Sequence, residues 1–352
     1  MRVSVAMCTY NGGDYIRRQM DSIFAQTRLP DEIIICDDIS KDDTVSILKE
    51  YEGRGIDLQI IQNPENLGFA RNFRKCISLC TGDIIFLCDQ DDIWEPEKTR
   101  QLCDLMEGNP EILSVVTNFY LIDSNGARLS NGEAGDNPFF NKKKYRIDWK
   151  QGALYKANVV SVFCGNIGPG CTQVIRRNII ADFMKCPLYE PHDYILNQVA
   201  VLRDGLFYYD KPLTKYRVHG KQTIGVPEYV IHRLKKNYAA MIEEYTNLLR
   251  ELFYHLFLPN SEKVSLPPLF GDSDRIAYYD TVPMKPHIQQ KYEKWKRMSE
   301  NRAALYHLWP GRLKYFLRQM KYNKYFVFGY APVERLRIQF WDLAMLLVKE
   351  RK

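Results

Sequence analysis

The acidic residues that end an apolar run at residues 84 to 94, IIFLCDQDDIW, carry the strongest chemical signal in the sequence. Asp89, Asp91 and Asp92 lie within four consecutive residues. Carboxylates this close repel one another, and a carboxylate beside an apolar core loses its hydration, so the cluster needs a compensating partner. A cation, a helix N-terminus or open water would each supply one, and the rest of the sequence has to decide among the three.

Two other polar clusters also follow apolar runs. CTYNGGDY at residues 8 to 15 places Thr9, Tyr10 and Asn11 after the first run, and CDDISKDDT at residues 36 to 44 follows the second. Asn-Gly is a strong turn signal, so the first cluster taken alone is equally typical of a simple turn. No GxGxxG occurs in it and no GxxxxGK[ST] occurs anywhere in the chain, which excludes a dinucleotide fingerprint and a P-loop.

The elements that position these clusters alternate between residues 2 and 119. The runs VSVAM, EIIICD, LQIIQ, DIIFLC and LSVVTNF predict strands, and YIRRQMDSIFAQ, DDTVSILKEYE, ARNFRKCISLC and PEKTRQLCDLM have the periodicity of helices. Strands and helices in alternation predict a mostly parallel sheet with helices on both faces. Because ligands bind beyond the carboxyl ends of such strands, we expect the polar clusters to meet at that edge.

The later segments have weaker patterns. GNIGPGCTQVIRR is a glycine-rich approach to a strand, and PHDYILNQVAVLRDG predicts a helix that begins near His192 and Asp193. LFYYDKPLTKYRVHGKQT predicts a strand, a turn and a basic segment. Beyond Tyr229 the pattern is helical, with an interruption at LPNSEKVSLPPLFGDSD.

Length and composition indicate a folded protein with one catalytic-sized domain and an appendage. The chain has 352 residues, of which 45% are hydrophobic and 26% are charged, which is ordinary for globular proteins. Its nine cysteines are scattered without a CxxC pair, and no signal peptide is recognisable, so we expect buried thiols in the cytoplasm. The longest apolar stretches fall short of the roughly 18 residues that a membrane span needs.

Positive charge is concentrated at the end of the chain. Residues 289 to 352 hold 15 Lys and Arg against 5 Asp and Glu, while residues 1 to 288 hold 34 against 38. Interleaved aromatic and basic residues, as in RLKYFLRQMKYNKYFVF, suit an anionic membrane surface, here the inner face of the plasma membrane. A helical appendage that packs on the catalytic domain or on a second copy in a homodimer fits equally well, and we predict no nucleic-acid partner.

The motifs, taken in order, resemble the inverting family-2 glycosyltransferases with the GT-A fold. The resemblance runs from VSVAMCTYNGGDYI through ENLGFARNF, GDIIFLCDQDDIWEP and GCTQVIRR to YRVHG and covers about the first 220 residues. GCT, HDYIL and YRVHG are most similar to the branch that contains bacterial rhamnosyltransferases. The resemblance implies a Rossmann-like GT-A domain over residues 1 to 225. The later residues lie outside it, and their own pattern predicts a mainly helical, basic and aromatic region over residues 226 to 352.

The resemblance assigns the acidic cluster to a divalent cation, Mg²⁺ or Mn²⁺, which would compensate the diphosphate of a nucleotide-sugar. Asp89-Gln90-Asp91 is similar to the family's DxD motif, with Asp91 as the direct ligand and Asp89 nearer the ribose or a water on the cation. Asp92 is expected to cap the turn into IWEPEK. His219 is a further candidate ligand, although a single histidine is as often structural.

The first two clusters are similar to the family's nucleoside site. Thr9, Tyr10 and Asn11 would surround the nucleoside, and Asp38 would accept a hydrogen bond from N3–H of uracil or thymine. The family usually has glycine where this chain has Ile39, which predicts a different local turn. Arg71 follows NLG, as does the arginine that contacts the base and phosphate side of the donor in the family. The alternative is a solvated side chain, which is more common for a lone arginine at the start of a helix.

Asp193 occupies the position of the family's general base, which removes the proton of the acceptor hydroxyl while the leaving group departs from the opposite face. The alternative is a helix N-cap, a common role for Asp in PHD. Five residues are assigned to the sugar and acceptor side: Gly170, Cys171, Thr172, His192 and Arg217. A role at the diphosphate or the cation is the alternative for Arg217.

These assignments predict transfer of a rhamnose-like sugar or a hexose from a dTDP- or UDP-sugar to a saccharide or polyprenyl-linked saccharide, in the synthesis of a cell-surface polysaccharide. A nucleotidyltransferase also places carboxylates around a cation and a nucleotide, but it would want a basic phosphate loop, and CTYNGGDY has no basic residue. A non-catalytic protein that binds nucleotide-sugars is the third hypothesis.

Overall fold

The computed structural model describes residues 1–129, 153–163, 166–188, 191–220, 222 and 273–306. Nine strands in this part form one sheet: β1 (Val3–Thr9), β2 (Glu32–Asp37), β3 (Asp57–Gln62), β4 (Ile84–Cys88), β5 (Ile93–Trp94), β6 (Ser114–Ile122), β7 (Leu154–Lys156), β8 (Gln173–Arg176) and β9 (Leu206–Arg217). The helices are α1 (Ile16–Phe24), α2 (Thr44–Lys49), α3 (Phe69–Leu79), α4 (Lys98–Gly108), α5 (Val159–Phe163), α6 (Ile180–Lys185), α7 (His192–Leu202), α8 (Ser273–Asp280) and α9 (Pro286–Tyr306).

The strand order is β3-β2-β1-β4-β8-β6-β9-β5, with β7 paired to β9. The first four strands run parallel, β8 is antiparallel to both of its neighbours, and β6 pairs with β9 in parallel. Six strands, β1 to β4, β6 and β9, therefore point the same way. Their carboxyl ends share one edge, and the three polar clusters lie there as predicted.

Side chains of the central strands alternate between two apolar layers. In β1, Ala6 and Cys8 contribute to the layer under α3 and α7, whereas Val5 and Met7 contribute to the layer under α1 and α4. The strands β1, β2 and β4 are buried along their whole length, while β3 at the sheet edge alternates with solvent. This pattern explains why continuous apolar runs marked the central strands.

The five strands predicted between residues 2 and 119 and the four helices between them are all present, as is the helix that begins at His192. The turn predicted within LFYYDKPLTKYRVHG is wrong. This segment is one strand, β9, whose pairing with β6 shifts register between Tyr209 and Pro212, so the extra residues are absorbed by an irregularity in the ladder. All eight cysteines in the described part are buried thiols.

Two helices of the predicted C-terminal region, α8 and α9, pack on the domain that contains the sheet. Tyr279 of α8 and Tyr292 and Trp295 of α9 join the apolar layer that includes α7, and the ring of Phe163 in α5 lies 4.5 Å from that of Trp295. Residues 307–352 lie outside the described part, so membrane docking by the basic tail stays a prediction. Within the described residues, every helix is too short or too polar to cross a membrane.

Glu32 ties the amino ends of three neighbouring strands together. Its side chain is buried and accepts hydrogen bonds from the hydroxyl of Ser4, from the hydroxyl and backbone N–H of Thr81 at 2.6 and 2.5 Å, and from Arg2 at 3.1 Å. Burial by itself would raise the pKa of Glu32, but these donors outweigh it and lower the pKa from 4.5 to about 2.

We expect Glu32→Gln to reduce the free energy of unfolding by on the order of 2 kcal/mol at pH 7. A carboxylate whose pKa is lower in the folded state stabilises the protein above its unfolded pKa, and that contribution disappears as the pH falls from about 4.5 to about 2. Urea denaturation at several pH values should show a difference from wild type that shrinks over this range. The exposed Glu52→Gln provides the control, and a difference that is constant with pH would contradict the assignment.

Candidate active site

The loops that follow β1 and β4 are joined by a reciprocal amide pair. Tyr10 donates its backbone N–H to Oε1 of Gln90 at 2.8 Å, and Nε2 of Gln90 donates to the carbonyl of Tyr10 at 3.0 Å. A Cβ added to Gly12 would lie 2.3 Å from Oε1 of Gln90, so glycine is required for this close approach. Gln90, the middle residue of DQD, therefore holds the loop after β1 in place. The side chain of Tyr10 in that loop stays half exposed at the edge of the sheet.

The loops after β1 and β2 are joined in a similar way. Thr9 donates from its hydroxyl to Oδ1 of Asp37 at 2.8 Å. Asn11, in the left-handed region at φ 49°, donates its N–H to the hydroxyl of Ser40 at 2.9 Å and accepts from the N–H of Lys41 at 2.7 Å. The turn predicted at Asn-Gly is thus present, and its polar groups bind the loop after β2.

Asp38 is buried and organises the segment before α3. Its carboxylate accepts from the backbone N–H groups of Leu67 and Gly68 at 2.8 and 2.9 Å and from Nδ2 of Asn63 at 2.8 Å. A carboxylate has about four acceptor positions, so these three bonds leave capacity for a further donor. Its predicted bond to a pyrimidine stays a prediction.

Ile39 follows Asp38 with φ 63°, the left-handed conformation that glycine adopts without cost. A glycine would adopt this conformation without strain, and the different local turn predicted from the substitution stays a prediction. In the β-branched Ile39 the conformation strains the backbone. Arg71 lies in the first turn of α3 and is exposed, in agreement with either role predicted for it.

Asp89, Asp92 and Cys171 form the centre of the acidic cluster, and one ligand atom from each lies within 4.8 Å of the others. Asp92 does not cap the turn into α4, so that prediction is wrong. It is buried, and its Oδ1 accepts the backbone N–H of Arg217 at 2.9 Å. Its Oδ2 forms no hydrogen bond of good geometry within the described part of the chain, and the thiol of Cys171 is its neighbour in the cluster. Burial, followed by the charge of Asp91, raises the pKa of Asp92 to about 7. Burial and the charge of Asp92 likewise raise the pKa of Asp89.

Lys98 supplies the internal positive charge for this cluster, and sequence reasoning missed it. Its Nζ is buried, donates to the carbonyl of Cys171 at 2.7 Å and to the hydroxyl of Thr214 at 2.9 Å, and lies 4.1 Å from the ring centre of Trp94. Burial lowers the pKa of Lys98 to about 8, although nearby acidic groups, Asp92 among them, oppose the change.

A signal for Lys98 was present in the sequence. It stands four and eight residues before Leu102 and Met106, both buried, and so occupies the apolar stripe of α4. A lysine in such a stripe has to find acceptors inside the protein.

Asp91 and His219 form a pair at the more open side of the cluster. Their Oδ2 and Nε2 atoms are 2.9 Å apart, and their side chains are 14% and 7% exposed. The ring of His219 also lies 4.5 Å from that of Tyr15. The structure thus brings together two of the three residues that the sequence assigned to the cation, although they are 128 positions apart in the chain.

Arg217 is buried and directed at backbone carbonyl groups. Its Nε donates to the carbonyl of Asp91 at 2.6 Å, and Nη1 donates to those of Asp123 and Ser124 at 3.1 and 3.0 Å. These contacts brace the DQDD loop against the loop after β6. Contact of Arg217 with a sugar, acceptor or diphosphate stays a prediction.

Asp193 lies in the first turn of α7, whose N-cap is Pro191. The cap role is therefore wrong, and the negative charge instead benefits from the helix N-terminus. Its Oδ2 accepts from Nδ2 of Asn166 at 2.8 Å. Burial raises the pKa of Asp193, opposed by hydrogen bonds from Asn166 and from backbone amides including that of Gly170. The 170–172 turn links Asp193 to the acidic cluster, because Gly170 packs against Asp193 and Cys171 lies beside Asp89. The charge of Asp193 accordingly contributes to the raised pKa of Asp89.

The other acceptor-side candidates are buried around Asp193. A Cβ on Gly170 would come within 3.1 Å of Nε2 of His192 and 3.3 Å of Cβ of Asp193, so glycine lets the 170–172 turn approach α7. The His192 ring stacks on Phe73 with centres 3.8 Å apart, and burial lowers the pKa of His192 to about 3. Thr172 is buried and donates its hydroxyl to the carbonyl of Pro169 at 2.7 Å.

Comparison with known proteins identifies this arrangement. Residues 4–173 match the profile of the family described as Glycosyl transferase family 2. The chain carries a family-2 glycosyltransferase domain. The *Shigella flexneri* dTDP-rhamnosyl transferase RfbG is 28% identical over 233 residues, which cover 62% of this chain and 73% of that protein. The *Bacillus subtilis* putative glycosyltransferase EpsE is 33% identical over 128 residues, 36% of this chain and 46% of that protein.

A solved structure shows the same fold. *S. aureus* TarS residues 1–349, in complex with UDP-GlcNAc, superposes with a TM-score of 0.50 and 17% identity over 69% of this chain and 66% of that chain. The mostly parallel sheet with helices on both faces is thus the GT-A architecture that the sequence predicted for this glycosyltransferase domain.

The atoms at this site that could act as metal ligands fit a hard divalent cation. Asp89 and Asp91 offer oxygen ligands at the edge of the sheet, and His219 offers a nitrogen. The cluster also holds more carboxyl groups than the single ammonium of Lys98 can compensate. Cys171 does not fit, because burial raises the pKa of its thiol and a neutral sulfur is a poor ligand for Mg²⁺. Cation binding itself stays a prediction.

We expect Lys98→Met to lower the free energy of unfolding by on the order of 3 kcal/mol, because it leaves buried carboxylates without their internal cation and two acceptors without a donor. Arg100→Met, on the exposed side of α4, removes a surface charge and should change stability by less than about 0.5 kcal/mol. Urea denaturation of both variants measures the difference. Equal stability of the two would show that Lys98 is not the counter-charge of the cluster.

Proposed function

We propose that the protein is an inverting glycosyltransferase that moves a sugar from a dTDP- or UDP-sugar to a saccharide or polyprenyl-linked saccharide acceptor. The observation that carries the proposal is the position of two carboxylate groups in one site. Asp89 and Asp91 end β4 beside His219, while Asp193 stands across from them at the start of α7. Asp89 and Asp91 suit the binding of a diphosphate through a cation, and Asp193 suits the removal of a proton.

The donor would bind at the carboxyl edge of the sheet. Asp38 and the exposed ring of Tyr10 are proposed to contact the base, with Thr9 and Asn11 holding the loop around the nucleoside and Arg71 on the phosphate side. An acceptor oxygen at Asp38 selects uracil or thymine over cytosine, which lacks N3–H. Two similar proteins support this donor class, since one is a dTDP-rhamnosyl transferase and the other was solved in complex with UDP-GlcNAc.

Asp91, Asp89 and His219 would hold Mg²⁺ or Mn²⁺. Such a cation neutralises the charge that develops on a departing diphosphate. The residues of the chain contribute by fixing the ligands: Arg217 braces the carbonyl of Asp91, and Gln90 holds the nucleoside loop against the same segment. The buried Asp92 and Lys98 complete the charge balance behind them.

Asp193 is proposed to be the general base. As its carboxylate takes the proton of the acceptor hydroxyl, the acceptor oxygen bonds to the anomeric carbon. On the opposite face the bond from that carbon to the diphosphate oxygen breaks, and the nucleoside diphosphate leaves with the electron pair. The raised pKa of Asp193 makes its carboxylate a better proton acceptor than an ordinary aspartate.

A non-catalytic protein that binds nucleotide-sugars would use the same donor site. It differs in leaving the donor intact, so consumption of dTDP- and UDP-sugars with Mg²⁺ or Mn²⁺ present distinguishes it from the enzyme. The raised pKa values of Asp89 and Asp193, on either side of the 170–172 turn, favour the enzyme.

Asp91→Ala should weaken the binding of UDP or dTDP in the presence of Mg²⁺ or Mn²⁺ by at least about tenfold, because it removes a carboxylate that offsets the charge of the complex. Binding without cation should change little. Isothermal calorimetry measures both, with Asp57→Ala, an exposed site at the amino end of β3, as control. Binding of the metal–nucleotide pair at wild-type strength would exclude Asp91 as a ligand.

Asp193→Asn should lower the rate of transfer by about 10² to 10⁴ while the affinity for the donor stays within about twofold. The amide keeps the shape of the side chain but cannot take a proton at neutral pH. Transfer rate and donor affinity have to be measured on the same folded preparation. Near-normal transfer by this variant would remove Asp193 from the mechanism.

A further inference from the structure

A chain of amide side chains, half-buried at Asn166 and fully buried at Asn197 and Gln173, leads from Asp193 into the core. Nδ2 of Asn166 donates to Oδ2 of Asp193 at 2.8 Å. Oδ1 of Asn166 accepts from Nδ2 of Asn197 at 2.9 Å, and Oδ1 of Asn197 accepts from Nε2 of Gln173 at 3.0 Å. Nε2 of Gln173 also donates to the hydroxyl of Ser114 at 3.0 Å. The chain joins α7, β8 and β6 to the segment before the 170–172 turn.

The orientation of the Asn166 amide is determined by its neighbours. Its Oδ1 also accepts the backbone N–H of Ile167 at 2.9 Å, and a backbone N–H can only donate. The oxygen must therefore face Ile167 and Asn197, which leaves Nδ2 to face Asp193. The reverse orientation would place two donors together and an amide oxygen against a carboxylate, and both contacts are unfavourable.

We infer that Asn166 is a positioning residue for Asp193, holding its carboxylate in one orientation and in the ionised form that can take a proton. The inference rests on the proposed role of Asp193 as general base. An amide suits this task because it does not titrate, so it donates at every pH at which the enzyme works. None of the motifs of the family resemblance had assigned a role to Asn166 in GNIG.

Other groups that influence the charge of Asp193 come from the elements packed around it. Asp89, after β4, is a like charge that disfavours ionisation of Asp193. His192, next to it on α7, is neutral because burial lowers the pKa of its imidazole to about 3. Cys171, on the 170–172 turn, is neutral because burial raises the pKa of its thiol. Asn166 is thus a donor that counteracts both burial and a neighbouring carboxylate.

Asn166→Ala tests the inference through the pH dependence of transfer. Losing a hydrogen bond to the ionised carboxylate should raise the pKa of Asp193, so the acidic limb of the kcat profile should move to higher pH by about one unit. At any pH on that limb we expect kcat to fall about tenfold, and the loss should shrink above it, while KM for the donor stays within about twofold. Asn166→Ser offers a shorter donor and should recover part of the loss.

Gln198→Leu is the matched control. Gln198 is a buried amide on α7, the helix that carries Asp193. Its Oε1, however, accepts a hydrogen bond from the hydroxyl of Tyr279 rather than contacting Asp193. This variant should lower the melting temperature and leave the acidic limb where it is in wild type. An unshifted limb in Asn166→Ala, or an equal shift in Gln198→Leu, would overturn the inference.

A second measurement does not depend on activity. With ¹³C-carboxyl aspartate incorporated, the signal that Asp193→Asn lacks reports the pKa of Asp193 directly by NMR. A higher pKa in Asn166→Ala than in wild type supports the positioning role even if no sugar donor is consumed, in which case only the proposed transferase function fails. An identical pKa in the two proteins would refute the role of Asn166 whatever the activity.

Discussion

Negative charge concentrated at the end of a buried strand is the constraint around which the site is organised. β4 is covered on both faces, so the residues that follow it emerge where the apolar core meets the edge of the sheet. Burial and mutual repulsion raise the pKa of Asp89 and Asp92 there. The fold has to bring compensating groups to this point from distant parts of the chain.

Those compensating groups come from three directions. α4 contributes the ammonium of Lys98, β9 contributes the backbone N–H and guanidinium of Arg217, and the residues just after β9 contribute His219. Each contact also fixes the position of the element that supplies it. The parallel direction of β6 and β9 makes this possible, because both deliver their carboxyl ends to the same edge as β4.

The surroundings of Asp193 are organised by neutral groups instead. Around Asp193 the structure places the amides of Asn166 and Asn197, the un-ionised imidazole of His192 and a glycine that allows close packing. A carboxylate among neutral donors keeps its basicity, whereas the carboxylates at β4 are suited to a cation. This difference in surroundings, rather than any difference in residue type, separates the two proposed roles.

The periodicity of the sequence determined the sheet, its flanking helices and the meeting of polar clusters at one edge, because central strands and amphipathic helices each leave a local pattern. The ordered motifs determined the family and nominated Asp91, His219 and Asp193. Only the tertiary structure decided the roles of Asp92, Lys98 and Asn166. The partners of Lys98, at Cys171 and Thr214, are 73 and 116 positions away, and a local pattern carries no information about contacts at that separation. Folding decides such contacts because a buried charge or amide must find its partner wherever the packing of the strands brings one within reach.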